Sequence, residues 1–355
     1  MTVLEALAKH SVIVADTGDW EEIDTLAPRD VTTNPTLIYK NIEKITQLAA
    51  ANESSRLGVA KNPTLMEDVL ARVIASIKKA ADKQTAVNLA IEQLFVTTGQ
   101  LMLEKVPGRI SIEVPAIYSF DKEKTVAAAK SFVAAYGKQG IASNRLLIKI
   151  AATWEGLQAA ETLEKMDIHT NLTLVFSLEQ AMVAADKGIT LISPFVGRVT
   201  DWYKMNAQRT EPYPIAEDPG VCSVIEIYRY FKKYGYTTEI MAASFRSTEQ
   251  IMALAGCDLL TIAPKFLKQL AHQEVVSQGE QPFIPIVELI KTEPRYSESA
   301  VESQISLSEA QFRWRLNQNR MATEKLREGI ALFDEASEKL SQLLLKTSAG
   351  SVRMG

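Results

Sequence analysis

The run Arg145-Leu146-Leu147-Ile148-Lys149-Ile150-Ala151-Ala152 places a lysine among aliphatic residues. Such a run reads as a buried strand, and a fully buried lysine is rare because its ammonium loses hydration. Burial disfavours the charged form of a lysine, and a neutral amine is the form that attacks a carbonyl to make a Schiff base. The competing structural reading is a lysine in a buried ion pair, or one that snorkels to the rim. Glu113 sits likewise among aliphatics in "ISIEVP". It reads either as the holder of a proton-shuttling water, with Thr173 on the water's other side, or as the counter-charge of a buried cation. Asp16 opens "DTGD", which suits a turn or a helix N-cap and equally a general base for a substrate hydroxyl. An aspartic-protease reading of that triplet needs a second copy, and the sequence has none. Asn34 precedes Pro35, so its backbone is extended and its amide can meet a hydroxyl. Arg198 and Arg246, with Ser244 near the latter, offer forked donors that match phosphate oxygens, although either arginine alone reads as a surface residue.

These residues fall at the ends of short apolar runs: "SVIVAD" (11–16), "DVTTNP" (30–35), "ISIEVPA" (110–116), "LLIKIAA" (146–152), "NLTLVFS" (171–177), "TLISPFV" (190–196), "TEIMAASF" (238–245) and "LLTIAPK" (259–265). Segments of helical period lie between most of them, so a parallel sheet is predicted. Eight is the count that closes a (β/α)8 TIM barrel, with an open doubly wound sheet as the alternative. In a barrel, chemistry sits at the C-terminal strand ends. Read in order those ends give Asp16, Asn34, Glu113, Lys149, Thr173, Ser193 and Ser244 to Arg246, with every strand but the last offering a polar group. About 75 residues separate the second and third runs, too many for a structureless loop, so extra helices are expected there. No Gly/Ser/Pro-rich linker divides the chain, so residues 1–355 are read as one domain. After barrel strands at about 11–265 come a polar segment and a helix at about 275–346, and then a flexible tail, 347–355. In that helix Leu326, Ile330, Phe333, Leu340 and Leu344 make one apolar stripe that would dock on the barrel. "FRWRLNQNR" just before it is read as a packing or subunit-contact element.

Composition narrows the partners. The net charge of −4 argues against nucleic acid or an anionic membrane surface. No apolar run approaches a spanning helix, and the start of the sequence has no signal-peptide pattern. The two cysteines, Cys222 and Cys257, are far apart, and His10, His169 and His272 have no metal-site spacing. A cytoplasmic protein with no metal is expected. There is also no dinucleotide or P-loop glycine pattern.

"DVTTNPTLI" and "LIKIAATWEGLQAAETL" resemble the two signature segments of the transaldolases. "NLTLVFS", "LISPFVGRVTDWY", "DPGV" and "MAASFRS" extend the likeness over nearly the whole chain. The resemblance implies a circularly permuted class I aldolase barrel and no cofactor. It implies transfer of a dihydroxyacetone unit from sedoheptulose 7-phosphate or fructose 6-phosphate to glyceraldehyde 3-phosphate or erythrose 4-phosphate, in the pentose phosphate pathway. It makes Lys149 the imine lysine and Asp16 the acid–base group at the C4 hydroxyl. Glu113 and Thr173 become the holders of the catalytic water. Asn34, Asn171 and Ser193 become contacts to the three-carbon unit, and Arg198, Ser244 and Arg246 the phosphate site. Sugar phosphates are the implied partners, with a homodimer as the candidate assembly. The related fructose 6-phosphate aldolases, which release dihydroxyacetone, tend to carry glutamine and tyrosine where this chain has Glu113 and Phe195. Those two residues therefore point to the transferase, with the aldolase and a catalytically silent sugar-phosphate-binding barrel as alternatives. One departure stands at "EVPAIYSFD": Pro115 and Ile117 replace an aspartate and an arginine of the family pattern. Proline removes a ladder donor, so strand pairing is expected to end or bulge there.

Overall fold

Each of the eight apolar runs forms a strand, and the strands pair in sequence order, all in parallel. They are β1 (Val12–Asp16), β2 (Asp30–Thr32), β3 (Ile110–Glu113), β4 (Leu146–Ala151), β5 (Thr170–Val175), β6 (Leu191–Pro194), β7 (Glu239–Ala242) and β8 (Leu259–Ile262). β8 pairs back onto β1 and closes the barrel. These coordinates are a computed structural model that describes residues 1–54, 64–275, 283–292 and 301–350. The strands are apolar on both faces because helices cover the outside and side chains fill the lumen. Every residue of β4 and β5 is buried.

Side-chain alternation along each strand builds the lumen in layers. Val14, Leu147, Leu191, Met241 and Leu259 pack together as one buried cluster. Two residues further along the same strands, or just beyond them, stand Asp16, Lys149, Ser193, Ala243 and Thr261, all of which line one cavity. The apolar layer is thus the floor of the polar one.

The helices follow as α1 (Val3–Leu7), α2 (Trp20–Leu26), α3 (Pro35–Ser54), α4 (Leu65–Lys79), α5 (Lys83–Leu103), α6 (Lys122–Lys138), α7 (Trp154–Glu164), α8 (Leu178–Asp186), α9 (Val196–Asn206), α10 (Pro219–Tyr234), α11 (Thr248–Ala253) and α12 (Pro264–His272). The long segment between β2 and β3 holds α3, α4 and α5, as its length requires. Beyond β8 come α13 (Ile286–Thr292), α14 (Glu309–Gln318) and α15 (Arg320–Ser348). α7 starts directly after the strand that carries Lys149. Thr153 caps α7 by accepting from Gly156 N at 2.9 Å, and its hydroxyl donates to the Ser119 carbonyl. A Cβ on Gly156 would collide with the Ala151 carbonyl oxygen, so the turn directly after the lysine strand requires glycine there.

α15 buries Leu326, Phe333, Leu340 and Leu344, with Ile330 half-buried beside them, so the apolar stripe docks as expected. Its later part packs on α3, α4 and α5, while its earlier part reaches α9, β5 and the short turn Ala116–Tyr118 at the barrel mouth. The helix runs on to Ser348, with Thr347 and Ser348 buried, so the segment read as a loose tail begins as packed helix. Residues 351–355, and 293–300 of the polar segment, lie outside the described residues. In α14, Phe312 is buried against Trp154, with ring centroids 5.4 Å apart. Arg313 bridges Glu155 and Glu309, and Arg315 pairs with Glu302 at 2.7 Å. The segment thus packs through Phe312 and its arginine ion pairs, while Trp314 beside them is exposed.

At the N-terminal ends of the strands, Arg109 bonds Asp30 at 3.2 Å and Glu239 at 2.7 Å. β3 and β7 are four places apart in the barrel, so this bridge crosses the lumen and plugs the end opposite the cavity. Among the described residues no helix is long and apolar enough to cross a membrane.

Candidate active site

Lys149 is 4% exposed, and its Nζ lies 3.5 Å from Glu113 Oε2 and 3.3 Å from the Thr33 carbonyl oxygen. The register of β3 on β4 sets this pair, since Glu113 and Lys149 are direct neighbours across the ladder. Pro115 does not disturb it. β3 ends at Glu113, Val114 N still bonds the Lys149 carbonyl at 3.1 Å, and Pro115 then opens the turn Ala116–Tyr118. Ile117 points to solvent at 70% exposure, so the position forms no ion pair and has no hold on Glu113.

The cavity over the lumen encloses ≈ 60 Å³ and is lined by Asp16, Thr32, Asn34, Lys149, Ser193, Phe195, Arg198, Met241, Ala243, Ser244, Thr261 and Phe333. Asp16 is the last residue of β1, and the cap of the following helix is Asp19, which accepts from Glu21 N at 3.0 Å. The carboxyl of Asp16 is thereby left to the cavity. Asn34 serves two ends, since its side-chain oxygen accepts from Leu37 N at 3.0 Å in the first turn of α3 while the residue also borders the cavity. Asn171 is fixed by Ser111 Oγ at 2.9 Å and Ser193 Oγ at 2.7 Å, a chain of bonds across β3, β5 and β6.

Seven of the eleven residues expected from the sequence line the cavity: Asp16, Asn34, Lys149, Ser193, Phe195, Arg198 and Ser244. Glu113 and Asn171 connect to it through Lys149 and Ser193. Thr173 faces Ala151 in the β4–β5 register, two residues beyond Lys149. Arg246 stands at the rim instead, 44% exposed, with its guanidinium held by Asp201 at 2.7 Å and by the Ser244 carbonyl at 3.1 Å. Thr261 corrects the expectation that the last strand offers no polar group. Scanning strand ends missed it because it lies inside β8, two residues after Leu259 on the same inward face; period-2 alternation would have found it. Phe333 was placed by its helical stripe and not as a cavity residue.

Unmet hydrogen-bonding capacity collects here. The side-chain atoms Thr32 Oγ1, Thr33 Oγ1, Thr173 Oγ1, Arg198 Nη1 and Thr261 Oγ1 are buried without a hydrogen-bond partner, and Glu113 Oε2 has only its long ion pair to Lys149. A folded protein leaves few such groups, so their concentration around one lysine marks a place built to receive polar atoms. Burial pushes Asp16 above the usual carboxylate range, opposed by the charges of Lys149 and Arg198. Burial likewise raises Glu113 to about 7, against the pull of Lys149 and Arg198. Arg198 is pushed down, first by burial and then by the charge of Arg246.

The Glu113 shift predicts a pH effect on stability. The folded protein holds that proton more tightly than the unfolded chain, whose carboxyl titrates near 4.5. This contribution is complete below the unfolded value and is lost as pH rises through about 7. Thermal unfolding should therefore shift down between about pH 5 and about pH 8, and Glu113→Gln should flatten that decline. Asp16 acts in the same direction, so a residual slope is expected. An unchanged slope in Glu113→Gln would contradict the assignment.

Residues 13–344 match the family described as Transaldolase/Fructose-6-phosphate aldolase. The chain is similar to transaldolase A of Escherichia coli (strain K12), 44% identical over 344 residues that cover 97% of this chain and 99% of that protein. It is similar to a transaldolase of Prochlorococcus marinus (strain NATL1A), 43% identical over 347 residues, 97% of this chain and 95% of that one. A transaldolase of Trichormus variabilis is 45% identical over 350 residues, 98% of this chain and 96% of that one.

Proposed function

This chain belongs to the Transaldolase/Fructose-6-phosphate aldolase family, and from that premise we propose how its cavity carries out the reaction. The activity is that of a transaldolase, a transferase that moves a dihydroxyacetone unit between sugar phosphates. The Lys149 amine attacks the C2 carbonyl of the ketose phosphate, and loss of water gives an iminium. Asp16 takes the proton of the C4 hydroxyl, the C3–C4 bond breaks, and its electron pair enters the iminium to leave an enamine. The aldose phosphate departs as an aldehyde. An acceptor aldehyde then takes its place, the enamine carbon attacks it, and Asp16 returns the proton to the new hydroxyl. Glu113 and Thr173 hold the water that carries a proton to the C2 oxygen as the carbinolamine loses water, and that takes protons back when water adds to the product iminium and frees the ketose and the lysine amine. With its carboxyl at about 7, Glu113 can both give and take a proton near neutrality. Asn34, Asn171 and Ser193 hold the three-carbon unit, and Arg198, Ser244 and Arg246 take the terminal phosphate. Because Arg246 is bound to Asp201, the phosphate competes with that carboxylate for it. The same reading carries a cytoplasmic setting and a homodimeric assembly.

The observation that carries this reading is a lysine Nζ 3.5 Å from a buried carboxylate in a cavity shared with Asp16 and Arg198. Phe195 stands on its wall, 5.4 Å from Phe176 ring to ring, and brings no hydroxyl to activate water against the bound unit. Transfer rather than release is tested by feeding fructose 6-phosphate with and without erythrose 4-phosphate. Ketose consumption should depend on the acceptor, with little free dihydroxyacetone. Release of dihydroxyacetone at an equal rate without acceptor would overturn the reading.

A further inference from the structure

Among the described residues that line the cavity, Phe333 alone comes from outside the barrel's own strands, loops and helices, since it belongs to α15. It faces Arg198. The Arg198 guanidinium lies 4.9 Å from the Phe195 ring centroid and 5.8 Å from that of Phe333. Both rings are nearly fully buried, so the guanidinium sits in a desolvated aromatic slot, where cation–π attraction is strongest. A slot of this kind orients a guanidinium without consuming its hydrogen bonds, and Arg198 Nη1 is buried with none made.

Four residues earlier on α15, and so on the same face, stands Gly329. A Cβ there would come within 2.5 Å of Leu174 Cδ2 and 3.2 Å of Arg198 Nη1. The helix backbone reaches the arginine only because this position has no side chain. Leu174 completes the contact in an unusual conformation. It lies within the register irregularity between Leu172 and Val175 where β5 pairs with β6, and its φ of 57° is in the left-handed region. A residue with a side chain rarely adopts that conformation, so the surrounding packing must hold it. Leu174 packs in one buried cluster with Phe176, Phe195 and Phe333.

We propose that α15 is a working part of the phosphate site, with Phe333 and Gly329 as positioning residues that fix the Arg198 fork for the terminal phosphate of the sugar. This rests on the reading of Arg198 as a phosphate ligand. The experiment compares Phe333→Ala, Gly329→Ala and Phe333→Tyr with Arg198→Ala as the benchmark, in the full chain, with thermal unfolding to establish that each is folded. Three quantities are read: KM and kcat for fructose 6-phosphate, inhibition by inorganic phosphate, and the concentration of unphosphorylated dihydroxyacetone that half-saturates borohydride trapping on Lys149. Phe333→Ala should raise KM by about 5- to 30-fold, the size of one desolvated cation–π contact. It should weaken phosphate inhibition in parallel, with kcat and dihydroxyacetone trapping little changed. Gly329→Ala should shift the same two quantities in the same direction, and Phe333→Tyr, which keeps the ring, should restore them. If Arg198→Ala raises KM and weakens phosphate inhibition but Phe333→Ala and Gly329→Ala do not, the helix has no part in the site and the proposal fails alone. An equal loss for the phosphorylated and unphosphorylated ligands also overturns it, because that is what general damage to the barrel produces. If Arg198→Ala itself leaves both phosphate readouts unchanged, the phosphate-site reading falls and takes the proposal with it.

Discussion

Lys149→Arg is expected to abolish turnover, lowering kcat by at least about 10⁴-fold, the scale on which losing a covalent nucleophile acts. Arginine keeps the positive charge that faces Glu113 across the β3–β4 ladder. The buried carboxylate therefore keeps a partner, and the variant isolates chemistry from charge balance better than alanine would. A guanidinium stays protonated and forms no imine with the ketose. The position is 4% exposed, so the larger side chain should cost about 1–3 kcal/mol of stability. Thermal unfolding separates that cost from the catalytic loss. The decisive measurement is borohydride reduction with fructose 6-phosphate followed by peptide mass analysis. The parent protein should carry a three-carbon adduct on Lys149, and the variant none. Turnover above about 1% of the parent rate, or an adduct on another lysine, would remove Lys149 from its role.

The lysine was legible because its surroundings break a simple rule. A charged residue inside Leu146–Ala152 is out of place unless something uses it, and the strand that holds it is continuous and apolar. The same rule found Glu113. The barrel followed from eight such runs, each long enough for a strand, with segments of helical period between most of them. What the sequence hid is what depends on direction or distance. Thr261 is not such a case, since period-2 alternation from Leu259 puts it on the inward face of β8. Phe333 was visible as one position of an apolar stripe, but a stripe says only that a face is covered. That its ring lands on Arg198 depends on where α15 crosses the barrel mouth. Arg246 shows the opposite limit. It was grouped with Arg198 by residue type, yet Asp201, on α9, holds it at the rim. Pro115 was read correctly as the end of strand pairing, and the end falls just late enough to leave Glu113 in register.

The second large effect separates two steps that Lys149→Arg removes together. Asp16→Asn keeps the size of the side chain and removes the carboxylate, so the imine can still form while the C4 hydroxyl loses its base. Cleavage should slow by about 10²- to 10⁴-fold, the usual contribution of a positioned general base. The trapped species should change with it. With fructose 6-phosphate alone, the parent protein should yield the three-carbon adduct, and Asp16→Asn should accumulate the uncleaved six-carbon one on the same lysine. The electrostatics of the site favour this division of labour. Burial raises the Asp16 carboxyl and makes it a stronger base, and the charges of Lys149 and Arg198 oppose that rise. The iminium places a fixed positive charge at the same nitrogen, so the field that favours the Asp16 carboxylate is present at the cleavage step. If Asp16→Asn lost adduct formation and turnover to the same degree, Asp16 would be acting on the amine rather than on the sugar hydroxyl. The proton for cleavage would then need another acceptor, and Glu113, whose carboxyl at about 7 already borders the nitrogen, is the group that geometry would nominate.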